Sequence, residues 1–164
     1  MINIEICDTN PAHKQTITNL LQLYFYDTSI EDACDVEEGG IFSYSEEYLS
    51  CYWSEPDWGA HLIRVNGQIA GFAFISPSDV VDGAQELADL FILKRYRRMG
   101  VASKVALHFL AERSRAWTVV IFDAAHDAEN YWNKLFMLPQ LAVSRQLPHS
   151  EEDATVYVLE PNKE

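Results

Sequence analysis

The segment from Glu86 to Arg115, ELADLFILKRYRRMGVASKVALHFLAERSR, holds the residues best suited to chemistry. Lys94, Arg95, Arg97 and Arg98 form a cationic cluster that leads through Met99 into Gly100, Val101, Ala102 and Ser103. Cations beside the first turn of a helix, where backbone N–H groups lack intrahelical partners and the dipole is positive, make a cradle for a phosphate group. Gly100 has no Cβ to hold a ligand away from that backbone. A second chemistry lies just upstream. Asp89 is a carboxylate inside the apolar run Leu87 to Leu93, alternating with Leu87 and Phe91, and Glu86 stands at the start of the run. Partial burial raises a carboxylate pKa and makes it a general base that works near neutral pH, directly or through water. The competing reading for each carboxylate is a pairing with an arginine of the following turn, and for each arginine a solvated surface position.

Three elements must position these groups. Leu87 to Leu93 is rich in strand formers, and the cationic cluster after it cannot continue a buried strand. From Gly100 the period changes: Val101, Ala102, Val105, Ala106, Phe109 and Leu110 share one face, with Lys104, His108 and Glu112 on another, which predicts an amphipathic helix of about four turns. Elsewhere, Ile2 to Cys7 alternates as a half-buried strand, and Pro11 to Tyr26 reads as a helix with Asp8, Thr9 or Asn10 as its cap. Residues 27 to 57 read as an acidic, aromatic lid or substrate loop, broken by Gly39 and Gly40, with a short helix from Ser45 to Tyr52. Ala60 to Val65 and Gln68 to Ile75 flank Asn66-Gly67, whose tolerance of positive φ predicts a two-residue hairpin turn. Pro77 to Ala84 is a turn-rich link. Trp117 to Phe122 reads as a strand, Asp127 to Met137 as a short helix ended by Pro139, and Ala142 to Gln146 and Ala154 to Leu159 as closing strands.

The loop Arg97-x-x-Gly100-x-Ala102, set between a strand and a helix, resembles the pyrophosphate loop of the acetyl-CoA-dependent N-acetyltransferase (GNAT) superfamily, which reads Arg/Gln-x-x-Gly-x-Gly/Ala. The order of elements is similar to that family's along essentially the whole chain. The resemblance implies one domain over residues 1–164 with an α/β (α+β) fold, a mixed, mostly antiparallel central sheet of about seven strands flanked by helices. It implies acetyl-CoA as acetyl donor. The main chain of Leu90, Phe91 and Ile92 would lie along the pantetheine arm and meet the thioester oxygen, and Arg97, Arg98, Met99, Gly100, Val101, Ala102 and Ser103 would hold the pyrophosphate, chiefly through N–H groups. The family's second signature, roughly Asn-x-x-Ala-x-x-Phe-Tyr-x-Lys-Leu-Gly-Phe, is matched in part by Ala128, Lys134, Leu135 and the aromatic pair Tyr131-Trp132. Ala125 replaces an asparagine that often contacts the cofactor, and Trp132 occupies the slot of the tyrosine that commonly protonates the leaving thiolate. An indole N–H does not ionise usefully, so three readings stand: Tyr131 takes that role, solvent does, or the helix with Trp132 only packs against the cofactor.

With 164 residues, 48% of them apolar, the chain can bury a core without staples. No apolar run approaches a membrane span and the N-terminus lacks a signal-peptide pattern, so a cytoplasmic protein is expected, with no membrane partner. Cys7, Cys34 and Cys51 are widely spaced, the five histidines show no ligand spacing, and neither a disulfide framework nor a metal site is expected. A formal charge of −13 weighs against a nucleic-acid partner, including charged tRNA. Between Lys14 and Arg64 there is no Lys or Arg, while Asp27, Glu31, Asp32, Asp35, Glu37, Glu38, Glu46, Glu47, Glu55 and Asp57 are acidic. The resemblance implies acetylation of a primary amine by direct attack in a ternary complex, and that distribution favours a small, cationic acceptor. A homodimer is left open. The alternative reading is a degenerate, non-catalytic acyl-CoA-binding module, suggested by Ala125 and Trp132.

Overall fold

The structure, a computed structural model, describes residues 1–163. Seven strands form one sheet in the order β1 (Ile4–Asp8), β2 (Gly59–Val65), β3 (Gln68–Pro77), β4 (Gln85–Ile92), β5 (Trp117–Phe122), β7 (Ala154–Leu159) and β6 (Arg145–Pro148). Every pairing is antiparallel except that of β4 with β5. Four helices flank it: α1 (Lys14–Asp32), α2 (Glu46–Ser54), α3 (Val101–Leu110) and α4 (His126–Leu135). The mixed, mostly antiparallel sheet matches expectation.

The alternation of strand side chains divides the apolar residues into two cores, one on each face. On one face Leu62, Phe72, Phe74 and Phe91 pack under Ile17, Leu20 and Leu21 of α1 and Leu49 and Tyr52 of α2. On the other, Ile63, Val65, Ala73, Ile75 and Leu87 meet Val101, Val105, Ala106 and Leu110 of α3. The hairpin turn is as the sequence demands, with Asn66 at φ 50° and Gly67 at φ 80°. Gly71 answers a different need. A Cβ there would lie 1.9 Å from the carbonyl oxygen of Phe91, so only glycine lets β3 and β4 approach.

Several boundaries differ from the sequence reading. The first helix starts after a 3-10 turn at Pro11–His13, capped by Asn10, and continues to Asp32 instead of stopping at Tyr26. No glycine or proline interrupts Asp27 to Asp32, so part of the expected acidic loop is helix, closed by Ala33 in the left-handed region at φ 51°. The helix after Gly100 is shorter than four turns because Arg113 donates to the carbonyls of Leu110, Gln140 and Glu160, which satisfies the helix end. Residues 139–141 form a 3-10 turn and the edge strand β6 spans Arg145–Pro148 rather than Ala142 to Gln146, in register with Thr155 to Val158 of β7.

Two irregularities in β4 matter most. Opposite β3, Phe74 pairs with Asp89 but Ile75 pairs with Leu87, so Ala88 is an extra residue. The bulge breaks the expected alternation: Leu87 turns to the α3 core, while Asp89 joins Phe91 on the face of α1 and α2. Opposite β5, pairing stops after Gln85–Trp117 and Glu86–Thr118. Beyond Glu86 the two parallel strands part, and the edge of β4 from Ala88 to Ile92 has no strand on that side.

Candidate active site

The parting of β4 from β5 leads to the turn that carries the basic cluster. Leu93 N–H bonds the carbonyl of Ala70 at 2.8 Å, and a 3-10 turn at Lys94–Tyr96 reverses the chain. Arg98 then takes φ 61° and Gly100 φ 77°, both left-handed, and α3 starts with no side-chain cap. Such a conformation is uncommon for a residue with a Cβ and ordinary for glycine. The space over Gly100 is open, with no described atom within 4 Å of where a Cβ would stand. None of the N–H groups from Arg98 to Ser103 is bonded to a described residue. An uncapped helix start with six free donors is suited to an anion.

The side chains around this cradle divide by role. Arg97, expected at the pyrophosphate, is tied inward: its Nε donates to the Ile92 carbonyl at 2.8 Å, its guanidinium lies 5.7 Å from the Phe91 ring centroid, and Nη2 meets Asp27 Oδ2 of α1 at 2.8 Å. It braces the turn against α1. Arg98 and Met99 are exposed beside the cradle, and the side chain of Val101 is core, leaving only its backbone to a ligand. Phe91 and Ile92 are buried and the half-buried Leu90 packs against the α3 core, so the cores take up these side chains and leave the main chain at the open edge of β4 to meet a ligand.

Ser103 and Tyr131 are 28 residues apart in sequence, yet the Ser103 Oγ and Tyr131 Oη lie 2.8 Å apart, joining α3 to α4. Burial pushes the Tyr131 phenol up from its ordinary value, with Ser103 opposing, so it carries its proton at neutral pH. Trp132 meets Tyr131 edge-on at 6.2 Å and stacks on Phe136, which stacks on Tyr157 of β7. The indole is held in place by this packing.

Across the sheet stands the carboxylate pair. Asp89 accepts a hydrogen bond from the Tyr24 hydroxyl of α1 at 2.9 Å, and not from an arginine of the following turn. Burial pushes Asp89 up to about 7, the Tyr24 hydrogen bond opposes, and the charges of Glu86 and Asp32 add to the rise. Reciprocally, the charge of Asp89 and burial hold the Tyr24 proton in place. Glu86, half-buried, accepts from Thr118 Oγ1 at 2.9 Å and is also raised by burial, with Asp79 adding and His149 opposing. Tyr48 and Tyr52 of α2 complete this face: both phenols are raised by burial and by Asp89 and Glu86 nearby. Tyr52 stacks on Phe74, the register partner of Asp89, at 4.1 Å, and Trp58 meets Tyr48 at 5.3 Å.

Sequence reasoning missed Tyr24, Asp27, Tyr48, Tyr52 and Asp79. Tyr24 was legible only as a member of the apolar face of α1. Its signal was a phenol on a buried stripe, since a buried tyrosine hydroxyl needs a partner. Three of the ten carboxylates between Lys14 and Arg64 have cationic partners: Asp27 with Arg97, Glu46 with Lys14 at 2.6 Å and Asp57 with Arg115 at 2.8 Å.

This geometry agrees with comparison to known proteins. The sequence model of the Acetyltransferase (GNAT) family matches residues 16–136, nearly three quarters of the chain, and the protein belongs to that family. An acetyltransferase of Thermus thermophilus shares the fold at a TM-score of 0.69 and 13% identity, over 96% of this chain and 97% of that one. A GNAT-family acetyltransferase of Staphylococcus aureus gives 0.65 and 11% identity over 98% and 100%. A PaiA N-acetyltransferase of Thermoplasma acidophilum, solved with coenzyme A, gives 0.60 and 11% identity over 96% and 99%. A search of curated protein sequences returns no match. The class is therefore an acetyltransferase with acetyl-CoA as donor, and the free N–H groups at the start of α3, with the open edge of β4, are the features of this chain that fit it. No helix of the described residues is long and apolar enough to cross a membrane.

Proposed function

We propose that this enzyme transfers acetyl from acetyl-CoA to a small, cationic primary amine by direct attack in a ternary complex. The observation that carries the reading is Asp89: a β-bulge turns it to the α1 and α2 face beside the opening, where Tyr24 orients it and burial raises it to about 7. A carboxylate of that strength is half ionised near neutral pH and can take a proton from an arriving ammonium, directly or through water. The freed amine lone pair attacks the thioester carbonyl, the C–S bond breaks, and the developing oxyanion is met by main-chain N–H groups of β4 between Leu90 and Ile92. Tyr131, protonated and oriented by Ser103, gives its proton to the leaving thiolate, and the second amine proton, shed by the acylated nitrogen, restores the phenol directly or through water, which leaves the amide and free CoA. Glu86, Asp79 and the rings of Tyr48 and Trp58 supply negative charge and π faces, an environment that favours a cation over a neutral or anionic amine.

Mass spectrometry of an amine panel incubated with acetyl-CoA tests this. Polyamine-like acceptors should be acetylated faster than neutral amines or amino acids. Binding of CoA without turnover of any amine would leave the non-catalytic acyl-CoA-binding module as the better account, and a preference for anionic acceptors would reject the acceptor class.

A further inference from the structure

A cavity of about 620 Å³ opens at the opposite end of the sheet from the cradle, where β1 ends and β2, β4 and β5 begin. None of Glu86, Asp89, Arg97 to Ser103 or Tyr131 lines it. Its walls are aromatic: Trp53 of α2, Trp58, Phe109 of α3 and Trp117 of β5. Its charged side chains are carboxylates, Asp8 and Asp57, and no Lys or Arg lines it. Asp57 shares its charge with Arg115 at 2.8 Å, whereas the exposed Asp8 faces only His61, whose pKa burial lowers.

Two polar side-chain atoms of lining residues, both shut off from solvent, have no hydrogen-bond partner among the described residues. Gln85, 6% exposed, spends its Nε2 on the Asp57 carbonyl at 3.1 Å and leaves Oε1 without a donor. His61 Nδ1 lies 3.1 Å from Asp8 Oδ1 but without hydrogen-bond geometry, its ring leaning on Phe109 at 5.0 Å. A buried amide oxygen with no donor is costly, and a site that keeps one beside a cavity gains when a donor arrives. Indole faces attract cations and cover alkyl chains, and the carboxylates set the sign of the field.

We propose that this cavity is a second, non-catalytic binding site for an alkylammonium ion, with the carbon chain against the indole rings and the N–H groups directed to the Asp8 carboxylate and to Gln85 Oε1, which a turn of its side chain would bring to the cavity. The site takes the same chemical class as the acceptor reading above and shares the rings of Tyr52 and Trp58 with that face, but none of Tyr24, Asp79, Glu86 or Asp89.

The protein has four tryptophans, of which Trp53, Trp58 and Trp117 line the cavity and Trp132 stands at the cofactor side, so indole N–H resonances report on both places at once. Titration of the 15N-labelled protein with n-butylammonium, without acetyl-CoA, should shift Trp53 and Trp117 saturably and leave Trp132 unmoved. n-Butanol, of the same length without the charge, should shift them less. Asp8→Asn, on the exposed rim, should raise Kd about threefold, the size expected for losing one screened charge contact. Asp89→Asn should leave the Trp53 and Trp117 shifts unchanged. No saturable shift at these two indoles, equal shifts from butanol, or their loss in Asp89→Asn would each overturn the second site. Failure of the amine panel with intact indole shifts would reject the cationic acceptor alone.

Discussion

Along the proposed cofactor side, the groups free to meet a ligand are the backbone N–H groups from Arg98 to Ser103, while the conspicuous Arg97 is turned inward to brace the turn. Along the proposed acceptor side they are side chains from separate segments: Tyr24 of α1, Tyr48 and Tyr52 of α2, Asp79 of the β3–β4 link, Glu86 and Asp89 of β4. The first side depends on conformation and on open space. The second depends on which atoms each side chain brings and on the charge state that burial imposes. Substitution should therefore act in opposite ways on the two. The cofactor side should tolerate losing a side chain and fail when one is added, and the acceptor side should fail when one functional group is removed.

The largest effect is expected from adding a carboxylate to the cradle. Ala102→Glu keeps helical backbone but sets a negative charge among the free N–H groups, and calorimetry should find CoA affinity down on the order of 100-fold, about twice the 1.4 kcal/mol that each tenfold costs. Gly100→Glu should do the same with added backbone strain at φ 77°. Arg98→Ala, by contrast, should cost only about three- to tenfold, because the backbone carries the site. A larger loss in Arg98→Ala than in Ala102→Glu would reverse the assignment of that side.

On the acceptor side, Asp89→Asn should lower kcat/KM by about 100-fold and remove the acid limb that wild type shows near pH 7. Tyr24→Phe sharpens this, since its hydrogen bond lowers the Asp89 pKa, and its loss should move the acid limb to higher pH. The sign carries over to stability. A carboxylate raised in the folded state contributes stability at pH below its unfolded pKa of 3.8, and that contribution is lost as pH rises through about 7. Asn keeps an acceptor for Tyr24, so Asp89→Asn should gain in Tm over wild type at pH 8 and lose that gain near pH 4. A pH-rate profile unchanged in both variants would remove Asp89 from the mechanism and leave Glu86 or solvent as the base.

Tyr131→Phe should reduce kcat by about tenfold, the low end of acid–base contributions, with CoA affinity nearly unchanged, whereas Trp132→Phe should affect CoA affinity more than kcat. The reverse pattern would show that α4 serves the cofactor through Tyr131 and that solvent protonates the thiolate. The smallest effect concerns remote charge. Glu37, Glu38 and Glu47 are exposed and unpaired, unlike Glu46, and their joint neutralisation to Gln should raise KM for a cationic acceptor about twofold without changing kcat. Salt should do the same in wild type, because the Debye length is about 8 Å at physiological ionic strength. A salt-independent KM would leave the acidity as a solubility feature.

Local pattern and composition determined much of this protein. The Asn66-Gly67 turn, the strand from Trp117 to Phe122, the basic turn ending in Gly100 and the amphipathic start of α3 all follow from interactions within a few residues, where φ preferences and periodicity act. Asp89 was conspicuous for the same reason, as a charge within an apolar run. Tertiary structure decided the rest. The bulge at Ala88 depends on how β3 and β4 register, and it alone puts Asp89 on the opposite face from Leu87. The partner of Asp89 is a tyrosine 65 residues away, the partner of Arg97 an aspartate 70 residues away and that of Tyr131 a serine 28 residues away. Such contacts have no period and no fixed spacing. They arise when the sheet brings α1 over β4 and α4 beside α3, and the charge state each group then adopts is set by desolvation, which exists only after the chain has folded.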